Sequence, residues 1–328
     1  MSIDWQRFKQ VIDQHDRYLI TSHIRPDCDA LGSELGMAAV LDELGKSVMI
    51  VNGQATPPNL AFIDPELRLQ TLGEEVQAGD LEDREVLMVL DTSAWAQLGP
   101  MADVVRDSSA LKIVLDHHVS GDDLGAELFK DTTAEATGRL VVEAAAHLGV
   151  SLNPRMAAPL FAAQATDTGW YRYASVGGEA LRIAARLVDA GAVPQDIYRE
   201  LYEQDTLARL KLRGRILSRT ETERNGRLAH TACLREDFVA AGALASDTED
   251  VINETLTIAG VEVAVILVEQ EQGGFKLSFR SRCELDCSQV AEEFGGGGHK
   301  AAAGAFIDEP FETARRQVLD AVLAAMKD

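Results

Sequence analysis

Cysteine is scarce here: four in 328 residues, none in a CxxC pair, so neither a zinc ribbon nor a disulfide framework organises the chain. No apolar run approaches the length of a membrane span and the amino terminus has no signal-peptide core, so no membrane partner is expected and the expected compartment is the cytoplasm. Positive charge is also short. Lysine and arginine number 31 against 53 acidic residues, a net charge of −22. That surface repels polyanions at long range, which argues against long duplex nucleic acid as a partner. A short anionic substrate remains possible where metals and a few basic residues converge in one cleft. Internal repeats are absent, and one glycine run is the only low-complexity tract. What remains is 46% hydrophobic and 26% charged, the balance of a folded globular chain long enough for two domains.

The informative stretch is 18–33. Residues 18–20 form an apolar run that reads as a buried strand, Pro26 breaks regular structure, and a helix begins near Ala30. His23, Asp27 and Asp29 sit at this strand-to-helix joint, a donor set suited to Mn²⁺ or Mg²⁺. Asp27 and Asp29 equally suit capping of the helix that follows, and the stretch alone leaves both readings open. Residues 86–90 are continuously apolar, the pattern of a strand covered on both faces, and end in Asp91. Residues 113–115 run straight into Asp116, His117 and His118. Strand ends of shared polarity place these side chains along one sheet edge, where ligands bind in open α/β folds. Asp167 ends a helix predicted over 154–166, where a carboxylate opposes the helix dipole, a hint that a cation holds it.

Around these joints the pattern predicts helices over 4–16, 30–44 and 134–148, a strand over 47–51, and successive helices over 178–224. The last of them, about 206–223, reads as a connector. Beyond it come strands over 228–234, 261–268, 275–282 and 301–307, with helical stretches over 236–259, 288–294 and 310–326. The expected fold class is therefore α/β: an amino-terminal doubly wound, mainly parallel sheet over 1–205, a helical linker over 206–225, and a smaller carboxyl-terminal α/β domain over 226–328. Gly295, Gly296, Gly297 and Gly298 precede His299 without the Lys-Ser/Thr of a Walker loop. Such a run is either a flexible turn or a backbone nest for an anion. Strand alternation predicts Arg280 and Arg282 on one face, which is either solvated or anion-binding.

Asp116-His117-His118 after a buried strand, taken with His23, Asp27, Asp29, Asp91 and Asp167, resembles the DHH phosphoesterase superfamily, which includes RecJ-type exonucleases, family II pyrophosphatases and nanoRNase/pAp phosphatases. The run 295–299 and the Ala-Ala-Ala-Gly at 301–304 resemble the DHHA1 domain. The compact two-domain length looks most like the nanoRNase/pAp phosphatase (NrnA) type. The resemblance implies two Mn²⁺ ions, with Mg²⁺ as the alternative. One is expected on His23, Asp27 and Asp91, and the other on Asp29, Asp91, His117 and Asp167, with Asp91 bridging. It implies catalytic roles for Asp91, for Asp116 orienting a histidine, and for His118 facing the substrate phosphate. Substrate binding falls to Arg280, Arg282, Gly296, Gly297, Gly298 and His299. The implied activity is hydrolysis of short oligoribonucleotides, of 3′-phosphoadenosine 5′-phosphate (pAp), or both, since paired cations suit in-line displacement at phosphorus. Two alternatives stand beside it: a cyclic-dinucleotide or pApA phosphodiesterase, and a non-catalytic nucleotide- or RNA-binding module. A homodimer is left open.

Overall fold

A computed structural model describes residues 3–326 and divides the chain into two compact units between Gln204 and Asp205. In the first, β1 (Arg17–Thr21), β2 (Ser47–Asn52), β3 (Leu69–Thr71), β4 (Val86–Leu90), β5 (Leu111–Asp116) and β6 (Glu127–Lys130) form one sheet in the order β3-β2-β1-β4-β5-β6. Every adjacent pair is parallel. The chain winds outward from β1 to β3, then returns past β1 to lay down β4, β5 and β6. The reversal between β1 and β4 opens a crevice at the carboxyl ends of those strands.

The helices of this unit are α1 (Trp5–Gln14), α2 (Cys28–Glu43), α3 (Trp95–Leu98), α4 (Met101–Asp107), α5 (Thr137–Leu148), α6 (Pro154–Asp167), α7 (Gly178–Asp189) and α8 (Pro194–Tyr202). Alternation along β4 divides its side chains between two cores. Val86, Met88 and Leu90 pack with residues of α1, α2, α5 and α6, whereas Leu87 and Val89 pack with residues of α3 and α4. A strand covered on both faces must be apolar throughout, which is why 86–90 carries no polar residue.

Helix α2 is buried from Cys28 to Leu41 and lies against α6 at glycine distance. A Cβ on Gly32 would sit 2.3 Å from the Pro159 carbonyl oxygen, and one on Gly36 would sit 2.4 Å from the Leu160 side chain. Gly32 also meets Ala163 while Gly36, one turn on, meets Leu160, so the two helices run antiparallel. The amino terminus of α2 therefore meets the carboxyl terminus of α6, which brings Asp27 and Asp29 toward Asp167.

The second unit contains α9 (Leu207–Ser218), β7 (Glu221–Glu223), β8 (Leu228–Cys233), α10 (Arg235–Ala241), α11 (Val251–Thr255), β9 (Val263–Glu269), β10 (Phe275–Ser281), α12 (Cys287–Glu292), β11 (Gly297–His299), β12 (Ala302–Ile307) and α13 (Phe311–Ala325). Its sheet order is β11-β12-β10-β9-β8-β7, parallel at β8–β9 and antiparallel elsewhere. Two local expectations change. The helix predicted to reach residue 223 stops at Ser218, because Leu212 and Ile216 turn into a core with Cys233, Val251 and Ala264 while 221–223 joins the sheet. The helical stretch over 236–259 is broken after α10, where Gly242 takes a left-handed φ of 67°. Among the described residues no helix is long and apolar enough to cross a membrane.

Candidate metal centre

The centre is built around Asp91, the first residue past β4. Its backbone is left-handed, with φ at 61°, a conformation aspartate tolerates better than most side chains. Leu115 O accepts its N–H at 3.1 Å, and Thr137 Oγ1 donates to its Oδ1 at 2.8 Å. These bonds aim the two carboxylate oxygens at two different histidines. Oδ2 lies 3.3 Å from His23 Nε2, and Oδ1 lies 3.5 Å from His117 Nε2. Each imidazole turns its other nitrogen to a main-chain carbonyl, His23 Nδ1 to Ile24 O at 3.0 Å and His117 Nδ1 to Ala134 O at 3.2 Å. A proton on Nδ1 satisfies that carbonyl and leaves the Nε2 lone pair pointing at carboxylates, the arrangement of a metal-ligating histidine.

Three groups of donor atoms result, each with all its atoms within 4.8 Å of one another: His23, Asp27 and Asp91; Asp29, His117 and Asp167; Asp91, His117 and His118. Within them His23 Nε2 is 3.8 Å from Asp27 Oδ1, and His117 Nε2 is 3.6 Å from Asp167 Oδ2 and 3.9 Å from Asp29 Oδ2. Such separations are too long for good hydrogen bonds. Two ligands each about 2.1 Å from one cation sit roughly 3 Å or a little more apart, close to what is seen. The donor set, carboxylate oxygens with a few imidazoles, suits Mn²⁺ or Mg²⁺ better than a thiophilic ion.

Capping and ligation, alternatives in the sequence, use the same carboxylates. Asp27 Oδ1 accepts from Asp29 N and Ala30 N, both at 3.0 Å, and so caps α2. Asp29 caps a different helix. Its oxygens accept from Thr137 N at 2.7 Å and Gly138 N at 2.9 Å, at the start of α5, where Ala136 has no side-chain oxygen to offer. A Cβ on Gly138 would meet Asp29 Oδ1 at 3.3 Å and Ala163 Cβ at 2.7 Å, so only glycine lets α5 come this close.

The charges around Asp91 are out of balance. Burial, then the charges of Asp91 and Asp167, hold the Asp29 carboxyl well above the ordinary range. Burial also lifts Asp167 to about 6; His117 opposes the rise, and Asp91 and Asp27 add to it. Burial disfavours a charge on His23, but its bonds to Asp91 and to Ile24 O outweigh burial and raise it to about 9. Carboxylates that hold protons this tightly are short of positive charge, which a bound divalent cation would supply.

Beside the centre, His118 is fixed by Asp116. Asp116 Oδ1 bonds His118 Nδ1 at 2.9 Å and accepts from His118 N at 3.0 Å. Its Oδ2 takes Ser93 Oγ at 2.8 Å and faces Lys130 Nζ at 3.0 Å. Burial works against the charge on Asp116, yet the bonds from His118, Lys130 and Ser93 hold it down at about 2. The bond to Asp116 in turn raises His118. Thr137, Ser93 and Lys130 carry no motif of their own. The one available signal was register: Lys130 lies opposite Asp116 across β5 and β6, and β6 itself escaped the sequence pattern.

Residues 17–163 match the DHH family, N-terminal domain, and residues 232–328 match the DHHA1 domain. The bifunctional oligoribonuclease and PAP phosphatase NrnA of Thermus thermophilus is 32% identical over 92% of this chain and 88% of its own length. The chain belongs to the DHH family. The NrnA of Bacillus subtilis, with the same description, is 27% identical over 91% of each chain. The crystal structure of an exopolyphosphatase-related protein from Bacteroides fragilis superposes with a TM-score of 0.84 at 27% identity, covering 98% of this chain and 95% of its own.

Within the DHHA1 domain, Arg280 of β10 and His299 of β11 both pair with Ala302 of β12. Residues directly opposite across antiparallel strands share a face, so Arg280 and His299 flank a small alanine on one side of the sheet. Gly296 and Gly298 have a packing reason. A Cβ would lie 2.2 Å from Gly304 O at the first and 2.6 Å from Ala302 O at the second, whereas Gly297 faces open space. Arg282, one residue past β10, is exposed; its backbone N–H donates to Glu262 O at 3.0 Å and its Nε to Val261 O at 2.6 Å.

Proposed function

We propose that this DHH-family chain hydrolyses short oligoribonucleotides, pAp, or both, the activities named for its NrnA relatives. The observation that carries the proposal is Asp91, whose two oxygens each face a histidine of a separate donor group. On this reading His23, Asp27 and Asp91 hold one cation, and Asp29, Asp91, His117 and Asp167 hold the second, with Mn²⁺ preferred over Mg²⁺. When bound, the pair supplies charge neutralisation at the phosphoryl oxygens and an acidified water.

The protein's own groups do the rest. Thr137 and the left-handed turn at Asp91 hold the shared carboxylate in one orientation. His118, half-exposed and fixed through Nδ1 by Asp116, leaves its other nitrogen, Nε2, to donate to a phosphoryl or leaving oxygen. Lys130 and Ser93 keep Asp116 ionised, so His118 keeps one orientation and an elevated proton affinity. In the second unit, Arg280 and His299 offer a row for a substrate phosphate, with Gly297 open beside it.

The test runs di- to pentaribonucleotides, pAp and a cyclic dinucleotide in parallel with purified protein and Mn²⁺. Turnover of the linear oligonucleotides or pAp is expected. Turnover of the cyclic substrate alone moves the assignment to a cyclic-dinucleotide phosphodiesterase, and binding without turnover in saturating Mn²⁺ makes the chain a binding module. Asp91→Ala is expected to lose both activity and bound metal by elemental analysis. Full retention of both would end the two-cation reading.

A further inference from the structure

Directly after Asp167 the chain builds something that holding a cation does not require. Gly169, Trp170 and Tyr171 are consecutively left-handed, with φ at 56°, 58° and 62°, a conformation bulky side chains rarely adopt. The turn is pinned from both ends. Thr168 Oγ1 accepts from Tyr171 N at 3.1 Å, Thr168 O accepts from Arg172 N and Tyr173 N, and Arg172 Nε donates to Gly169 O at 2.7 Å. Tyr173 is thereby laid across Gly169, where a Cβ would be 2.4 Å from its ring. Trp170 is turned edge-on to Tyr198 and Tyr202, at centroid distances of 5.0 and 5.7 Å.

The outer rings of this cluster are uncovered: Tyr173, Tyr198 and Tyr202 are 56%, 39% and 48% exposed. That is unusual investment for a chain only 5% aromatic. The cluster adjoins the candidate metal centre through the chain: Asp167 immediately precedes Thr168, the residue that pins the turn. Arg172 is exposed, and among the described residues no carboxylate lies within ion-pair distance of it, although acidic residues outnumber basic ones.

We propose that Arg172, Tyr173, Tyr198 and Tyr202 form a nucleotide subsite, in which a base of the substrate stacks on the tyrosine rings and Arg172 holds the phosphate beside it. The inference rests on the phosphoesterase reading above and names what that site recognises. Stacking on aromatic faces tolerates any base and needs an unpaired one, which fits short single strands and rejects duplex.

The test compares adenosine 5′-monophosphate with ribose 5-phosphate, each titrated calorimetrically into the full-length protein in Mn²⁺. The wild type is expected to prefer the base-bearing ligand by about 10-fold or more. Tyr173→Ala and Tyr202→Ala should close that gap, Tyr202→Phe should keep it, and Arg172→Ala should weaken both ligands. With a diribonucleotide, the alanine variants should raise KM by about 10-fold while kcat stays within about 3-fold. Tyr173 is the most exposed of the rings, so its alanine variant keeps the test open if Tyr202→Ala fails to fold. An undiminished preference in a folded Tyr173→Ala protein, or no preference in the wild type, overturns the subsite. A preference that disappears in the variants, in a protein that hydrolyses no nucleotide, upholds the subsite and overturns the activity instead.

Discussion

On the two-cation reading, protons and cations compete for the same atoms around Asp91, and that competition has a sign. Asp167 at about 6, Asp29 well above its ordinary value and the buried Glu34 at about 7 are carboxyls that hold protons more tightly folded than unfolded. His23 at about 9 does the same. Each therefore adds stability below its unfolded value and loses it as pH rises through its folded one. Buried His230, lowered by burial, works the other way, while His118, raised by its bond to Asp116, adds to the four. Metal-free protein should melt at a higher temperature near pH 5.5 than near pH 9, and loading with Mn²⁺ should flatten or reverse that slope. Calorimetric scans with and without chelator decide it; a chelated protein that gains stability toward pH 9 would contradict the charge imbalance. Lys130 makes a second case. Lys130→Met leaves the Asp116 carboxylate buried with Ser93 and His118 but without its cation, and should lower stability by about 3 kcal/mol in urea titrations.

Among the elements, the contact of α2 with α6 sets the distance between Asp29 and Asp167. Gly32→Ala places a methyl group against the Pro159 carbonyl, a backbone atom that no side-chain rotation can move away. The expected loss is about 1–3 kcal/mol with weaker Mn²⁺ binding, because the helices must separate. Gly45→Ala serves as the control. Its φ of 74° makes alanine strained, but open space surrounds it, so stability should fall by about 1 kcal/mol with metal affinity unchanged. Equal metal affinity in the two variants would show that α2–α6 spacing does not govern the centre. The same contact marks how far the sequence could be read. Strand ends at Asp91 and at Asp116 to His118 were legible because an apolar run interrupted by Asp or His has few structural uses. The bonds from Asp29 to α5 were not, since they join residues far apart in sequence and leave only an unremarkable Ala136 at the cap position. Edge strands β3, β6, β7 and β11, only three or four residues each, have too little pattern to register.

At the scale of the whole molecule, a net charge of −22 acts on every substrate phosphate before any of them reaches Asp91. Each added nucleotide brings another negative charge toward a surface of the same sign, while on the proposed two-cation reading only the scissile phosphate is drawn in by cations. Long-range repulsion should therefore make kcat/KM fall with oligonucleotide length at low ionic strength, a selection for short substrates that needs no steric stop. Salt tests this against the usual case. A basic nucleic-acid-binding protein loses affinity as salt rises, because bound counterions are no longer released favourably. Here screening should relieve repulsion, so raising NaCl from about 10 to 150 mM, which shortens the Debye length to roughly 8 Å, should raise kcat/KM for a pentaribonucleotide more than for a diribonucleotide. Initial rates at fixed Mn²⁺ across that series settle the matter. If the longer substrate loses efficiency with salt, local attraction by groups such as Arg172, Arg280 and His299 governs length preference, and the bulk charge does not.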